Sequence, residues 1–180
     1  MTEDSTTWEV WTIGHSTRSI EDFVLTLESA RIELVVDVRR HPGSRRLPQF
    51  DSAALQVELE LSGIAYHWIA ALGGRRRQLP GTDDLAWTHP AFRAYAGYLG
   101  TEEFAEGLFE LLMVAGGLRT AIMCAEILWW RCHRRLIADV LVALGLDVVH
   151  LFDVEKSARH RLTSPARIEN GYLSYRRVDG

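Results

Sequence analysis

The stretch Thr120–Leu144, TAIMCAEILWWRCHRRLIADVLVAL, changes periodicity twice without a break. Thr120 to Met123 is a short apolar run of strand type, and Cys124-Ala-Glu126 leaves it into a connection. From Cys132 to Leu144 the apolar residues recur at helical spacing, and Gly145 stops the pattern. Asp147 to Phe152 then reads as a further strand. A strand, a helix and a strand in this order form a βαβ unit, which needs parallel strands with the helix packed on the sheet.

The rest of the chain repeats the theme. Trp8 to Ile13 reads as a strand ending at Gly14. Ser19 caps a helix, with Asp22 three residues on and Ile20, Phe23, Val24 and Leu27 on one face. Glu33 to Val38 is β-branched enough for a strand buried on both faces. Asp51 or Ser52 opens a helix that Gly63 ends, and Ile64 to Trp68 is the next strand. Helices follow over Pro90 to Leu99 and Thr101 to Val114. Ala71 to Thr88, between them and the preceding strand, is a long polar loop with three arginines and two acidic residues. The tail is a loop with a short final hairpin. The expected fold is a single α/β domain over residues 1–180, Rossmann-like, with a mostly parallel sheet of about five strands and helices on both faces. Residues 1–7 and the extreme C-terminus are expected to be flexible.

Composition narrows the function. Hydrophobic residues at 47% and charged residues at 24% suit a soluble domain. No apolar run resembles a signal peptide or is long enough to span a bilayer, so a cytoplasmic protein with no membrane partner is expected. A net charge of −4 argues against a general nucleic-acid binder, yet the arginines cluster at Arg39-Arg40, Arg45-Arg46, Arg75 to Arg77 and Arg131 to Arg135. Arginine grips phosphate or carboxylate through paired hydrogen bonds.

In parallel sheets, binding crevices lie beyond the carboxyl ends of the strands. The strand ends here deliver Gly14-His15-Ser16, Asp37-Val38-Arg39-Arg40 and Cys124-Ala125-Glu126. A turn glycine and a capping serine also account for Gly14 and Ser16, and Asp37 is equally readable as a loop-bracing carboxylate. Cys132-His133-Arg134 is expected in the first turn of the next helix. There the dipole favours anions and lowers a thiol's pKa. Cys132 is thus a candidate thiolate, His133 and His15 proton carriers, Glu126 a nucleophile or base, and Arg39 and Arg134 clamps for an anion. Cys124 and Cys132 are the only cysteines. They fit catalysis or redox work in a reducing compartment, or two ordinary buried residues. The Trp129-Trp130 pair either shields the site or stacks a planar ligand.

Familiar cysteine patterns do not fit. Six residues separate Cys124 from Arg131, one too many for a tyrosine-phosphatase loop. Seven separate the cysteines, against two in thioredoxin-like sites. Cys124, Cys132, His133 and His15 at this spacing resemble no common zinc site, so no metal is expected, and the sequence specifies no cofactor.

Taken in order, Thr12-Ile-Gly-His-Ser16, Val36-Asp-Val-Arg39 with Pro42 and Ser44, Gly63-Ile64 with Tyr66, and Leu72-Gly-Gly74 form a recognisable series. Cys124-Ala-Glu126 with Cys132-His-Arg134, His150 and Leu162-Thr-Ser-Pro-Ala-Arg167 complete it. On these residues the chain resembles the bacterial domain-of-unknown-function family 488 (DUF488) over nearly its whole length. It departs from the family in Ile127-Leu-Trp-Trp-Arg131, where many relatives carry a charged, proline-containing connection, which suggests a subgroup. The resemblance implies the α/β fold and the site list, adding Ser44, Gly73 and Gly74 to Ser16, Asp37, Arg39 and Arg134 as anion-binding positions. It implies no reaction. The leading expectation is an enzyme, hydrolase or transferase, acting on a phosphate-bearing or otherwise anionic substrate such as a nucleotide or nucleic-acid end. The alternatives are a nucleic-acid-binding or repair-associated module without chemistry, and a thiol-based redox sensor.

Overall fold

The computed structural model describes residues 8–82 and 85–177. The segments expected to be flexible, 1–7 and the last three residues, lie outside the described residues. Strands β1 (Glu9–Gly14), β2 (Leu34–Asp37), β3 (Ala65–Trp68), β4 (Thr120–Cys124), β5 (Asp147–Asp153) and β6 (Lys156–Arg159) form one sheet in the order β3-β2-β4-β1-β5-β6. The first five are parallel, as the strand–helix alternation requires, and β6 is an antiparallel edge. The expectation of five strands missed β6 because all four of its residues are exposed and none is a large apolar side chain. A separate hairpin, β7 (Arg167–Glu169) with β8 (Tyr172–Ser174), follows it.

Helices α1 (Ile20–Ser29) and α2 (Ser52–Leu61) bury Phe23, Leu27, Leu55 and Leu59 on one face of the sheet. Helices α3 (Pro90–Tyr98), α4 (Glu102–Ala115) and α5 (Arg134–Ala143) bury Tyr95, Phe104, Leu111, Leu136 and Leu141 on the other. Alternate strand residues feed the two cores: Ala121 and Met123 go to the first, Ile122 and Cys124 to the second. The architecture is a doubly covered, mostly parallel α/β sheet of Rossmann-like type. The caps read from sequence form as well: Ser19 Oγ accepts from Asp22 N at 3.0 Å, and Asp51 Oδ1 from Ala53 N at 3.2 Å.

The topology places the site. Leaving β4 the chain goes to α5 on one face, whereas its neighbours β1 and β2 lead to α1 and α2 on the other. Such a reversal opens a crevice at the carboxyl ends of adjacent strands. Among the described residues no helix is long and apolar enough to cross a membrane.

Candidate functional site

A cavity of about 560 Å³ opens at this reversal. Arg39, Arg40, His41 and Gly43 reach it from the β2 end, Cys124 to Glu126 from β4, and Arg131 to His133 from the turn before α5. Gly74 and Arg75 close one side, and Phe92 and Tyr95 of α3 form a wall. A second hollow of about 510 Å³ beside the C-terminal hairpin is lined by Ala86, Thr88, Ser164, Pro165, Arg167, Arg176 and Arg177. It has no thiol, carboxylate or imidazole, whereas the strand-end cavity is lined by residues carrying all three.

Glycine makes the close packing of this site possible. A Cβ on Gly14 would stand 2.0 Å from the Glu126 carbonyl oxygen and 2.6 Å from Ile127 Cα, both backbone atoms. The connection after β4 therefore lies directly on the β1 end, tied by His15 N to Cys124 O and Ser16 N to Ala125 O, each at 3.0 Å. Gly74 does the same for His133, whose Nδ1 would be 2.8 Å from an added Cβ.

The start of α5 corrects one sequence expectation. Trp129–Arg131 forms a single 3-10 turn, Cys132 is extended, and the helix begins at Arg134 with His133 as N-cap. Cys132 is therefore outside the first helical turn, and side chains rather than the helix dipole set its acidity. Cys124 and Cys132 are both buried, with sulfurs 2.8 Å apart. The His133 ring approaches Cys132 Sγ through Nδ1 at 3.4 Å and the Val38 carbonyl through Nε2 at 3.2 Å. A carbonyl only accepts, so Nε2 carries a proton, and Nδ1 faces the Cys132 sulfur, as acceptor to the thiol or, once it has taken that proton, as N–H donor to the thiolate. Burial raises the pKa of Cys132, but the Cys124 hydrogen bond, His133 and Arg134 outweigh it and hold it well below the usual thiol range. Burial pushes Cys124 up, and the neighbouring Cys132 sulfur pushes it further. Cys132 is thus the more readily ionised sulfur of the pair, and Cys124 the one that keeps its proton to higher pH.

Arg134 stands behind the thiols rather than in front of them. It is 1% exposed, and Nη1 donates to Thr12 Oγ1 at 3.3 Å. Its Nη2 donates to the carbonyls of Glu126 and Ile127, bracing the loop through backbone and not through the Glu126 carboxylate. That carboxylate accepts instead from Leu128 N at 3.2 Å, and Glu126 is among the residues lining the cavity. Arg39 is likewise committed. Its Nε and Nη2 bind the buried Asp37 carboxylate, Nη1 donates to Phe50 O at 2.7 Å, and Tyr66 adds its hydroxyl to Asp37 at 2.8 Å. The bracing alternative for Asp37 is the arrangement seen. His15 is sandwiched beside this pair, stacked on Phe50 at 4.2 Å with Nδ1–H donating to Ser16 O at 2.8 Å. Burial lowers its pKa to about 4 against the pull of the Ser16 carbonyl, and the Arg39 charge adds to the lowering.

Of the residues singled out in the sequence, Arg39, Gly74, Cys124, Glu126, Cys132 and His133 line the cavity. His15, Asp37, Gly73 and Arg134 form the layer beneath it, Ser16 follows His15 in a left-handed conformation, and Ser44 Oγ serves its own loop by accepting from Leu47 N at 3.1 Å. Sequence reasoning passed over Arg40, His41, Arg75, Phe92 and Tyr95 as site residues. Arginine clustering signalled the first and third; nothing local signals a mid-helix tyrosine. Among the described residues no group of three or more His, Cys, Asp or Glu is placed to hold a metal ion. Comparison with curated proteins and with solved structures gives no match. A family model does match, over residues 19–141, and the chain belongs to that family, described as Domain of unknown function DUF488.

Proposed function

We propose that the protein is a thiolate enzyme acting on an anionic, phosphate-bearing or similar, substrate, with Cys132 as nucleophile. One observation carries this reading: Arg134 is buried, yet among the described residues no carboxylate forms an ion pair with it, and its Nε–H has no hydrogen-bond partner. A buried, uncompensated cation is costly. The thiol pair beside it supplies the missing charge when Cys132 is ionised, which makes the thiolate part of the fold's electrostatics.

Arg40, Arg75 and Arg131 give the cavity a cationic mouth, so an anion is drawn in and its reacting centre meets Cys132. In the first step the Cys132 sulfur bonds to that centre as the bond to the leaving group breaks. His133, having taken the thiol proton on Nδ1, gives it to the leaving group. In the second, Glu126 takes a proton from water or another acceptor, whose oxygen or nitrogen displaces Cys132 and restores the thiolate. Water gives hydrolysis and another acceptor gives group transfer. The test needs no substrate. Anionic iodoacetate and neutral iodoacetamide are compared as alkylating agents, with the label mapped by mass spectrometry. The expected result is labelling at Cys132 with a marked preference for iodoacetate, protection by phosphate, and loss of the preference in Arg75→Glu/Arg131→Glu. No preference and no protection would overturn the reading.

The 2.8 Å sulfur separation also favours a redox reading. With a peroxide, the Cys132 thiolate attacks one oxygen, forming a sulfenic acid and releasing hydroxide. The Cys124 thiol then attacks that sulfur, forming the disulfide and releasing water. An internal disulfide after peroxide treatment, reversed by a dithiol, supports it.

A further inference from the structure

The buried face of β1 and β5 contains polar residues where apolar ones would fill the space. Register sets Thr12 opposite His150 in the middle of the sheet, both 1% exposed. His160 follows β6, and Asp139 is on the inner face of α5 with no exposure. Thr12 Oγ1 and His150 Nδ1 are 2.7 Å apart, His150 Nε2 and His160 Nδ1 2.9 Å, and His160 Nε2 and Asp139 Oδ1 2.9 Å. The carboxylate is anchored further by Thr163 N at 2.9 Å, Thr163 Oγ1 at 2.5 Å and the Tyr175 hydroxyl at 2.7 Å. Trp129 seals the run by stacking on His150 at 4.1 Å and 6°.

The carboxylate end sets the first proton, and one tautomer assignment carries the same direction along the line. A carboxylate only accepts, so His160 donates from Nε2, and with its Nδ1 as the acceptor the line continues to His150. His150 then donates from Nε2 and accepts the Thr12 proton at Nδ1. Thr12 Oγ1 accepts in turn from Arg134 Nη1, which only donates. The chain runs Arg134, Thr12, His150, His160, Asp139, a cation at one end and an anion at the other, each bond polarised in the same sense as the next.

We propose that this chain is a positioning device: it holds the Arg134 guanidinium against the thiol pair and so sets the charge state of Cys132. The proposal rests on the reading of Cys132 as the nucleophile. Each buried polar group costs about 1–3 kcal/mol unless paired, and an apolar pair at Thr12 and His150 would serve packing alone. The line ends on the one guanidinium beside the thiols. Without Thr12, Arg134 keeps the carbonyls of Glu126 and Ile127 on Nη2 and its interaction with the thiols, and loses the anchor on Nη1. The charged and titratable groups facing Cys132 are Cys124 from β4, His133 and Arg134 from the start of α5, and Tyr95 from α3. The chain's residues reach it only through Arg134.

The test is the pH dependence of Cys132 alkylation in full-length Thr12→Val, Thr12→Ser and His150→Phe proteins. Thr12→Val keeps the shape and the strand preference, Thr12→Ser keeps the hydroxyl, and near-ultraviolet circular dichroism confirms folding. Thr12→Val and His150→Phe are expected to shift the midpoint of the labelling profile up by about one pH unit, so that below the wild-type midpoint they label about tenfold more slowly, with Thr12→Ser close to wild type. If wild-type Cys132 is acidic but folded Thr12→Val and His150→Phe titrate like it, the chain is merely structural and the inference fails alone. Should wild-type Cys132 titrate as an ordinary thiol, the nucleophile reading fails first. If His150→Phe does not fold, Thr12→Val decides.

Discussion

Replacing Arg134 with Met keeps the aliphatic stem and removes the charge and every donor. Three acceptors lose a partner: the buried Thr12 Oγ1 and the half-buried carbonyls of Glu126 and Ile127. Stranded buried acceptors cost about 1–3 kcal/mol each and share the available relaxation, so a loss of roughly 2–5 kcal/mol is expected. The more diagnostic effect is on pH dependence. In the wild type the folded Cys132 thiol is ionised well below its ordinary value of 9.0, burial being outweighed by Cys124, His133 and Arg134. Between the folded and unfolded pKa values the unfolded chain binds one more proton, so stability rises with pH by about 1.4 kcal/mol per unit there and is lost as pH falls through the folded value. The buried histidines His15 and His150, lowered to about 4 and about 2, add to the slope until their unfolded value of 6.5 is passed, so the thiol window opens about one unit above it. Urea unfolding from about pH 7.5 up to about 8.5, near the free thiol value, reads the slope directly. Wild type should climb and Arg134→Met should stay flat, because its Cys132 takes up a proton. Equal slopes in the two proteins would refute the idea that Arg134 is the counter-charge.

Other perturbations reach different parts of the site. Gly14→Ala drives a Cβ to 2.0 Å from the Glu126 carbonyl and should cost at least about 1–3 kcal/mol while slowing Cys132 alkylation, by urea midpoint and labelling rate. Asp37→Asn strands the buried Arg39 guanidinium, and a loss of about 3–5 kcal/mol is expected; under one would show that the pair compensates little. Acid should weaken the fold as pH drops from 6.5 through about 4, because His15 is neutral when folded and charges only when released. That drop, on the order of 3 kcal/mol, should shrink in His15→Phe, and an unchanged acid profile would show that His15 does not drive it.

The sequence made the sheet legible wherever burial leaves a pattern. Val35 and Val36 belong to a strand covered on both sides, and their apolar run shows it. Lys156 to Arg159 pairs by backbone alone at the sheet edge, so its side chains carry no strand signal. The same limit applies to the site. Cys124, Glu126, Cys132 and His133 were readable because they stand directly after an apolar strand or before an apolar helix, where chain direction dictates convergence. The role of Arg134 was not, since residue type does not say whether a side chain turns toward the cavity or back beneath β1. Thr12, Asp139, His150, His160 and Tyr175 sit on separate segments, and only the folded register brings them into one line. Tyr95 and Phe92 join the cavity because α3 packs there, a fact of tertiary arrangement alone.

The central claim is that the thiol pair carries one negative charge at neutral pH, seated on Cys132. Ultraviolet thiolate absorbance, titrated with pH on wild type, Cys132→Ser and Cys124→Ser, measures it directly. The expected result is one thiolate at neutral pH in wild type, absent in Cys132→Ser and retained in Cys124→Ser, where a hydroxyl still donates to the sulfur. Two protonated thiols at neutral pH in the folded wild type, ionising only in the ordinary thiol range, would contradict the account.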